Sequence, residues 1–208
     1  MHRVLAAFAV LLSLSACGDR SAEILARALN LPADVSSICD MPDMLGLEID
    51  DIGKGSGGCG ISDPVKVYAV GGIKLAAQPR LNCRTALALH SWATNEAQEV
   101  AKDNGVVITE MRVVAGYACR GRNNRRGARL SEHAKGNAVD IAGFTFSNGD
   151  RVTVLGNWNG RKYGRMMKAL HASACGPFGT VLGPKSDAFH RDHFHLDTAD
   201  YRSGAYCR

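Results

Sequence analysis

The sequence predicts an α+β fold, a small antiparallel sheet with helices packed on it. Three observations carry that reading. Thr85–Asn104 repeats apolar side chains at helical spacing. Val106–Ala115 alternates with the two-residue period of a strand. The order along the second half of the chain is helix, strand, strand, helix, strand, which argues for an antiparallel sheet with helices on it. The chain has 208 residues, 46% apolar and 22% charged, enough for one domain with a sizeable core. That composition excludes a repeat array, a coiled coil, a fibre and a disordered chain. A formal charge of +5 is mildly basic and falls short of a dedicated nucleic-acid binder.

Taken in order, Met1–Arg3 are a short basic start, and Val4–Leu14 run apolar except for Ser13. Such a run is too short to span a membrane and reads as a secretory signal over residues 1–16. It ends Leu14-Ser15-Ala16-Cys17, which resembles the bacterial lipobox. The resemblance implies lipidation of Cys17 and a lipoprotein facing the periplasm, anchored in the inner or outer membrane. Residues 17–38 read as a tether, with a short helix over Ala22–Leu29. The folded domain is expected over residues 39–208, as a monomer.

Without Cys17, six cysteines remain: Cys39, Cys59, Cys83, Cys119, Cys175 and Cys207. An even set in an exported chain reads as three disulfides. Nearest-neighbour pairing is the expectation, Cys39–Cys59, Cys83–Cys119 and Cys175–Cys207. No C-x-x-C pair occurs, which argues against a zinc ribbon or a thioredoxin-like site. Gly53–Gly60 is a glycine-rich loop without the Lys-Ser/Thr ending of a phosphate loop. Val65–Val70 and Gly72–Leu75 predict a hairpin.

In the helix over Thr85–Asn104, Leu89, Trp92, Ala93, Ala97, Val100 and Ala101 form the apolar face, and Gly105 is the stop. The strand over Val106–Ala115 is expected to present Val107, Thr109, Met111 and Val113 on one face. Arg120–Arg129 is a polar loop with five arginines and no interleaved aromatic, so it carries no nucleic-acid signature. Asn137–Ile141 is a short strand. A second helix is expected from Asn157 or Trp158 to about Ala174, burying Met166, Met167 and Leu170. Thr180–Leu182 and Phe194–Asp197 are short strands.

Chemistry-bearing residues gather in two runs. The first is Ser131-Glu132-His133-Ala134-Lys135-Gly136-Asn137-Ala138-Val139-Asp140, and the second is His190-Arg191-Asp192-His193-Phe194-His195. His193 and His195, two apart on a strand, point to one face. Gly136 allows a turn between His133 and the strand of Asp140. Two histidines and one aspartate match a catalytic zinc centre, which takes three protein ligands and leaves one position open. Asp197 reads either as the partner that orients a ligand imidazole or, equally, as the cap of a turn after the strand. Ser131 reads as a hydrogen-bonding residue at the metal loop, and His190 either as a neighbour of the metal or substrate contact or, equally, as an exposed loop histidine.

These residues carry a resemblance. SEHAKGNAVDI with HRDHFHLD downstream resembles the extensin-like C-terminal domain family of bacteria. Cys59-Gly60-Ile61, Tyr117-Ala118-Cys119-Arg120, Thr180-Val181-Leu182-Gly183-Pro184 and the closing Tyr206-Cys207-Arg208 extend the match. That family is similar to zinc D-alanyl-D-alanine peptidases and murein endopeptidases, which share a small α+β fold with the Hedgehog signalling domain. The resemblance implies metal ligands His133, Asp140 and His195, a general base at His193, and Arg120 as the arginine that holds a scissile carbonyl or substrate carboxylate. The carboxypeptidases' Glu-x-x-Trp-His is missing, so a histidine must serve as base; its ordinary pKa of about 6.5 suits that task. Glu132 is the competing base.

The implied activity is a zinc-dependent metallopeptidase, of carboxypeptidase or endopeptidase type, acting on peptidoglycan stem peptides or cross-bridges in cell-wall remodelling. The alternative is a non-catalytic wall-binding lipoprotein that keeps the fold and the metal. A metal-dependent nuclease built on the histidine cluster is a third and weaker reading.

Overall fold

A computed structural model describes residues 20–53, 57–200 and 204–208. The leader and Cys17 lie outside the described residues. Within the stretch expected to be a tether, residues 20–28 form helix α1. Strand β1 (Ser36–Ile38) follows and pairs with β2 (Met41–Glu48). Ala22, Ala26 and Val35 bury against Leu45 and Ala69. The folded part therefore begins ahead of Cys39.

The remaining strands are β3 (Val65–Val70), β4 (Ile73–Leu75), β5 (Arg80–Leu81), β6 (Ile108–Ala115), β7 (Ala138–Phe146), β8 (Arg151–Thr153), β9 (Thr180–Leu182), β10 (Phe194–Asp197) and β11 (Tyr206–Cys207). All eleven belong to one sheet ordered β1-β2-β3-β4-β6-β7-β10-β9-β11, with β5 beside β3 and β8 beside β7. The sheet is large, not small as expected. Short polar segments such as Ser36–Ile38 and Arg151–Thr153 are too brief to show a period, and pairing alone makes them strands. Most pairs are antiparallel, but β4–β6 and β9–β11 are parallel.

Helix α2 (Cys83–Trp92) passes through a π-helical turn (Ala93–Ala97) into α3 (Gln98–Asp103). Asn82 caps its start, its side chain accepting from the Thr85 amide at 2.8 Å. Gly105, at φ +74°, follows its end. Trp92 is fully buried, edge-on to Phe144 and Phe178, and its indole N–H donates to Ser173 Oγ. The expected second helix divides into α4 (Val154–Asn157) and α5 (Gly164–Ser173). A Cβ at Gly164 would sit 2.9 Å from the Trp158 carbonyl oxygen, so the chain turns tightly where one continuous helix was expected. Met166, Met167 and Leu170 are buried as expected.

In β6 the buried residues are Ile108, Met111 and Val113, while Val107 and Thr109 are exposed. A register shift between Ile108 and Glu110 breaks the period and turns the expected face by one residue. β7 runs to Phe146, well past Ile141. It is buried on both faces: Val139, Ile141, Phe144 and Phe146 join the main core, while Ala138 and Asp140 face the other way.

The disulfides are Cys39–Cys83, Cys59–Cys119 and Cys175–Cys207. The expected Cys39–Cys59 and Cys83–Cys119 pairs are corrected by the fold. Cys39 leaves β1 beside the start of α2, and Cys59 lies against the loop after β6; short sequence distance does not decide which Cα atoms come within reach. Peptide mapping of the oxidised domain from Cys39 onward should return these three links and no free thiol among its six cysteines after denaturation. Closing loops of 32, 44 and 60 residues contributes about 4 kcal/mol each in the chain-entropy account. Recovery of a Cys39–Cys59 peptide would contradict this topology. Among the described residues no helix is long and apolar enough to cross a membrane.

Candidate metal centre

The site lies on the sheet face turned away from α2, α3 and α5. On β10, Phe194 and Leu196 enter the main core, so the two-residue period sends His195 and Asp197 to the opposite face. β10 pairs with β7 in a register that sets His195 opposite Asp140. His133 arrives from a 3₁₀ turn, Glu132–Lys135. Gly136 closes that turn at φ +68° and leads into β7; a Cβ there would fall 2.4 Å from Ile61 Cδ1. The glycine is thus required twice, by conformation and by space.

Three side-chain atoms converge. His195 Nδ1 is 2.9 Å from Asp140 Oδ1, His133 Nε2 is 3.1 Å from His195 Nδ1, and His133 Nε2 is 3.2 Å from Asp140 Oδ1. Donors on a tetrahedral ion with bonds of about 2.0–2.1 Å stand about 3.3 Å apart, so a small divalent ion fits among them. Each ring's other nitrogen is anchored. His133 Nδ1 donates to the Gly116 carbonyl at 2.7 Å, and His195 Nε2 donates to Asp197 Oδ2 at 3.1 Å. Those two bonds turn His133 Nε2 and His195 Nδ1 toward Asp140, the outer support that ligand imidazoles need. His133 and Asp140 are 1% and 4% exposed.

The electrostatics are those of a buried coupled pair. Burial pushes the Asp140 carboxyl up, but bonds and charges from His133 and His195 outweigh it and hold it well below the usual carboxylate range. Burial pushes His195 down, but Asp140 and Asp197 outweigh that and push it up to about 9. A raised imidazolium contributes stability that is full below the unfolded value of about 6.5 and is lost as pH rises through about 9. In chelator-treated protein, the urea midpoint advantage over His195→Gln should therefore shrink between pH 6.5 and 9. A constant difference across that window would contradict the coupling.

A cavity of about 600 Å³ opens over the centre, with Arg120, Ser131, His190, His193, Thr180 and Tyr206 among its walls. His193 lies beside the three converging groups, not among them. Its Nε2 is 3.7 Å from Asp140 Oδ2, and its Nδ1 donates to Asp192 Oδ1 at 2.8 Å. Asp192 holding that ring was not anticipated; an exposed aspartate next to a histidine looks like any polar loop in one dimension. His190 is buried, with Nδ1 2.8 Å from Asp187 Oδ1. Burial lowers its pKa against the pull of Asp187. Its ring centroid lies 5.3 Å from that of His193 and 5.7 Å from that of His195.

Arg120 sits on the cavity wall and makes no carboxylate ion pair among the described residues. Ser131 is buried at the start of the 3₁₀ turn, its amide donating to the Arg120 carbonyl. Glu132 faces Asn137, Lys135 and Arg122, at 2.8, 3.4 and 3.8 Å. Those contacts tie its carboxylate to the loop, and Glu132 also lines the cavity over the centre.

Residues 43–208 match the protein family described as Extensin-like protein C-terminus. The chain belongs to that family. The match spans both histidine-bearing runs and all three converging residues of the extensin-like domain. No curated relative and no solved structure matches the chain.

Proposed function

We propose that this extensin-like protein is a zinc-dependent peptidase of the bacterial envelope, anchored by lipid at Cys17 and acting on peptidoglycan stem peptides or cross-bridges. The observation that carries the reading is the convergence of His133 Nε2, Asp140 Oδ1 and His195 Nδ1 within 3.2 Å of one another, each imidazole anchored from behind. A nitrogen and carboxylate donor set suits zinc. The likeness of the motif to zinc D-alanyl-D-alanine peptidases and murein endopeptidases supports the substrate class.

Zinc, if held by His133, Asp140 and His195, would supply Lewis acidity for a peptide carbonyl and for the attacking water. His193 takes the proton of the attacking water on Nε2 and returns it to the leaving amine, while Asp192 holds the opposite nitrogen. Arg120 offers its guanidinium to the carbonyl oxygen or to a substrate carboxylate. His190 and Ser131 shape the wall around that substrate.

The test is digestion of purified sacculi with and without a chelator, with analysis of the released muropeptides. Chelator-sensitive loss of peptide bonds is expected. Binding to sacculi with no bond cut by zinc-loaded protein would replace this reading with the wall-binding one.

A further inference from the structure

Asn137 stands where the segments that deliver the three converging residues meet. It follows Gly136, at the end of the 3₁₀ turn that carries His133, and precedes β7, which carries Asp140. Its backbone amide donates to the Glu132 carbonyl at 3.0 Å and closes the turn. Its carbonyl accepts from the Thr198 amide at 3.0 Å. Thr198 directly follows β10, and Asp197 is paired with Ala138, so this bond carries the β7–β10 ladder one step further. The same ladder sets His195 opposite Asp140.

The side chain adds two bonds of opposite sense. Asn137 Nδ2 donates to Glu132 Oε2 at 2.8 Å, and Asn137 Oδ1 accepts from Asn82 Nδ2 at 2.6 Å. Asn82 is itself fixed, its amide donating to the Gly136 carbonyl at 3.1 Å and its Oδ1 capping α2. A carboxamide offers a donor and an acceptor in one plane, whereas a carboxylate offers acceptors alone and an aliphatic side chain offers neither. These bonds act on the segments and not on the ligand atoms. Donors that share one tetrahedral ion stand about 3.3 Å apart, and a tilt of the His133 turn against the sheet is enough to undo that spacing.

We propose that Asn137 is a positioning residue for the metal centre, its carboxamide fixing the turn of His133 against the strands of Asp140 and His195. This rests on the metal-binding reading of the site and holds whatever bond the protein cuts. Nothing in the spacing of the motif marks the residue, which stands between Gly136 and Ala138 as an ordinary polar position.

The experiment measures zinc affinity by competition with a chelating dye, in the full chain and its variants. Asn137→Asp keeps the size of the side chain, removes the donor and sets a second carboxylate against Glu132. Its zinc affinity should fall about 10-fold, the lower end of what losing a support behind a ligand costs. A charge effect alone has the opposite sign, since an added negative charge attracts the cation. Glu132→Gln added to Asn137→Asp restores a donor between the two positions at unchanged net charge, and zinc affinity should return to within about threefold of the parent. The visible bands of the cobalt-loaded chain, which follow ligand geometry, should shift in Asn137→Asp and return in the double variant. Asn137→Ala removes the carboxamide without adding charge and should also weaken zinc about 10-fold, which keeps the test open if Asn137→Asp does not fold. A residue that served only the fold would lower the melting temperature of the chelated protein and leave zinc affinity and the cobalt bands at parental values; that result would overturn the proposal. Tighter zinc binding in Asn137→Asp, or no recovery in the double variant, would overturn it as well. If the parent protein binds neither zinc nor cobalt, the metal-binding reading fails first, visibly in the unsubstituted chain, and this inference fails with it.

Discussion

His195→Ala should lose zinc and wall-peptide turnover together. The ring is engaged on both sides: Nδ1 meets Asp140 and His133, and Nε2 is held by Asp197. Alanine removes one of three donors and leaves Asp140 and Asp197 without the imidazole that satisfied both. The expected loss of zinc affinity exceeds the 10–100-fold typical of removing a residue that only supports a ligand. Asp197→Ala supplies that comparison, since it leaves all three donors and removes the anchor behind His195; its loss should fall within 10–100-fold. Metal analysis after dialysis, beside muropeptide turnover and circular dichroism, separates metal loss from unfolding. A folded His195→Ala protein that retains stoichiometric zinc would remove His195 from the ligand set.

His193→Ala should behave in the opposite way with respect to metal. His193 Nε2 approaches Asp140 Oδ2 at 3.7 Å, outside the cluster that brings His133, Asp140 and His195 together. Zinc content should be unchanged. Turnover should fall by roughly 10²–10⁴-fold, the usual contribution of a positioned acid–base group. Asp192→Asn keeps the imidazole and weakens its orientation, so its defect should be smaller than that of His193→Ala. Loss of zinc from His193→Ala with retention by His195→Ala would reverse the two roles.

Much of this site was legible in one dimension because its parts are local. A glycine three residues after His133 permits the turn, and the alternation of Phe194 and Leu196 with His195 and Asp197 puts the latter two on one face, while His193 stands just ahead of β10 and reaches the cavity from the preceding bend. The exact spans of β9 and β10 were readable for the same reason: Phe194 and Leu196 alternate with histidine and aspartate, and turn residues bound both segments. Where period failed, so did the reading. The register shift at Ile108–Glu110 in β6 moved Val107 and Thr109 to the surface, although the sequence alternates as a regular strand should.

The sequence by itself determined the types of chemistry present and their local order: an even set of cysteines from Cys39 onward, an apolar helix face around Leu89 and Trp92, and a His/Asp set at the spacing of a metal centre. Only the tertiary structure decided which cysteines meet, that Glu132 bonds Asn137 and Lys135, and that Asp192 and Asp187 hold the imidazoles of His193 and His190. The physical reason is range. Turns, caps and strand periods arise between residues a few positions apart, whereas a disulfide or an imidazole anchored across the sheet depends on which distant segments the strand order brings side by side.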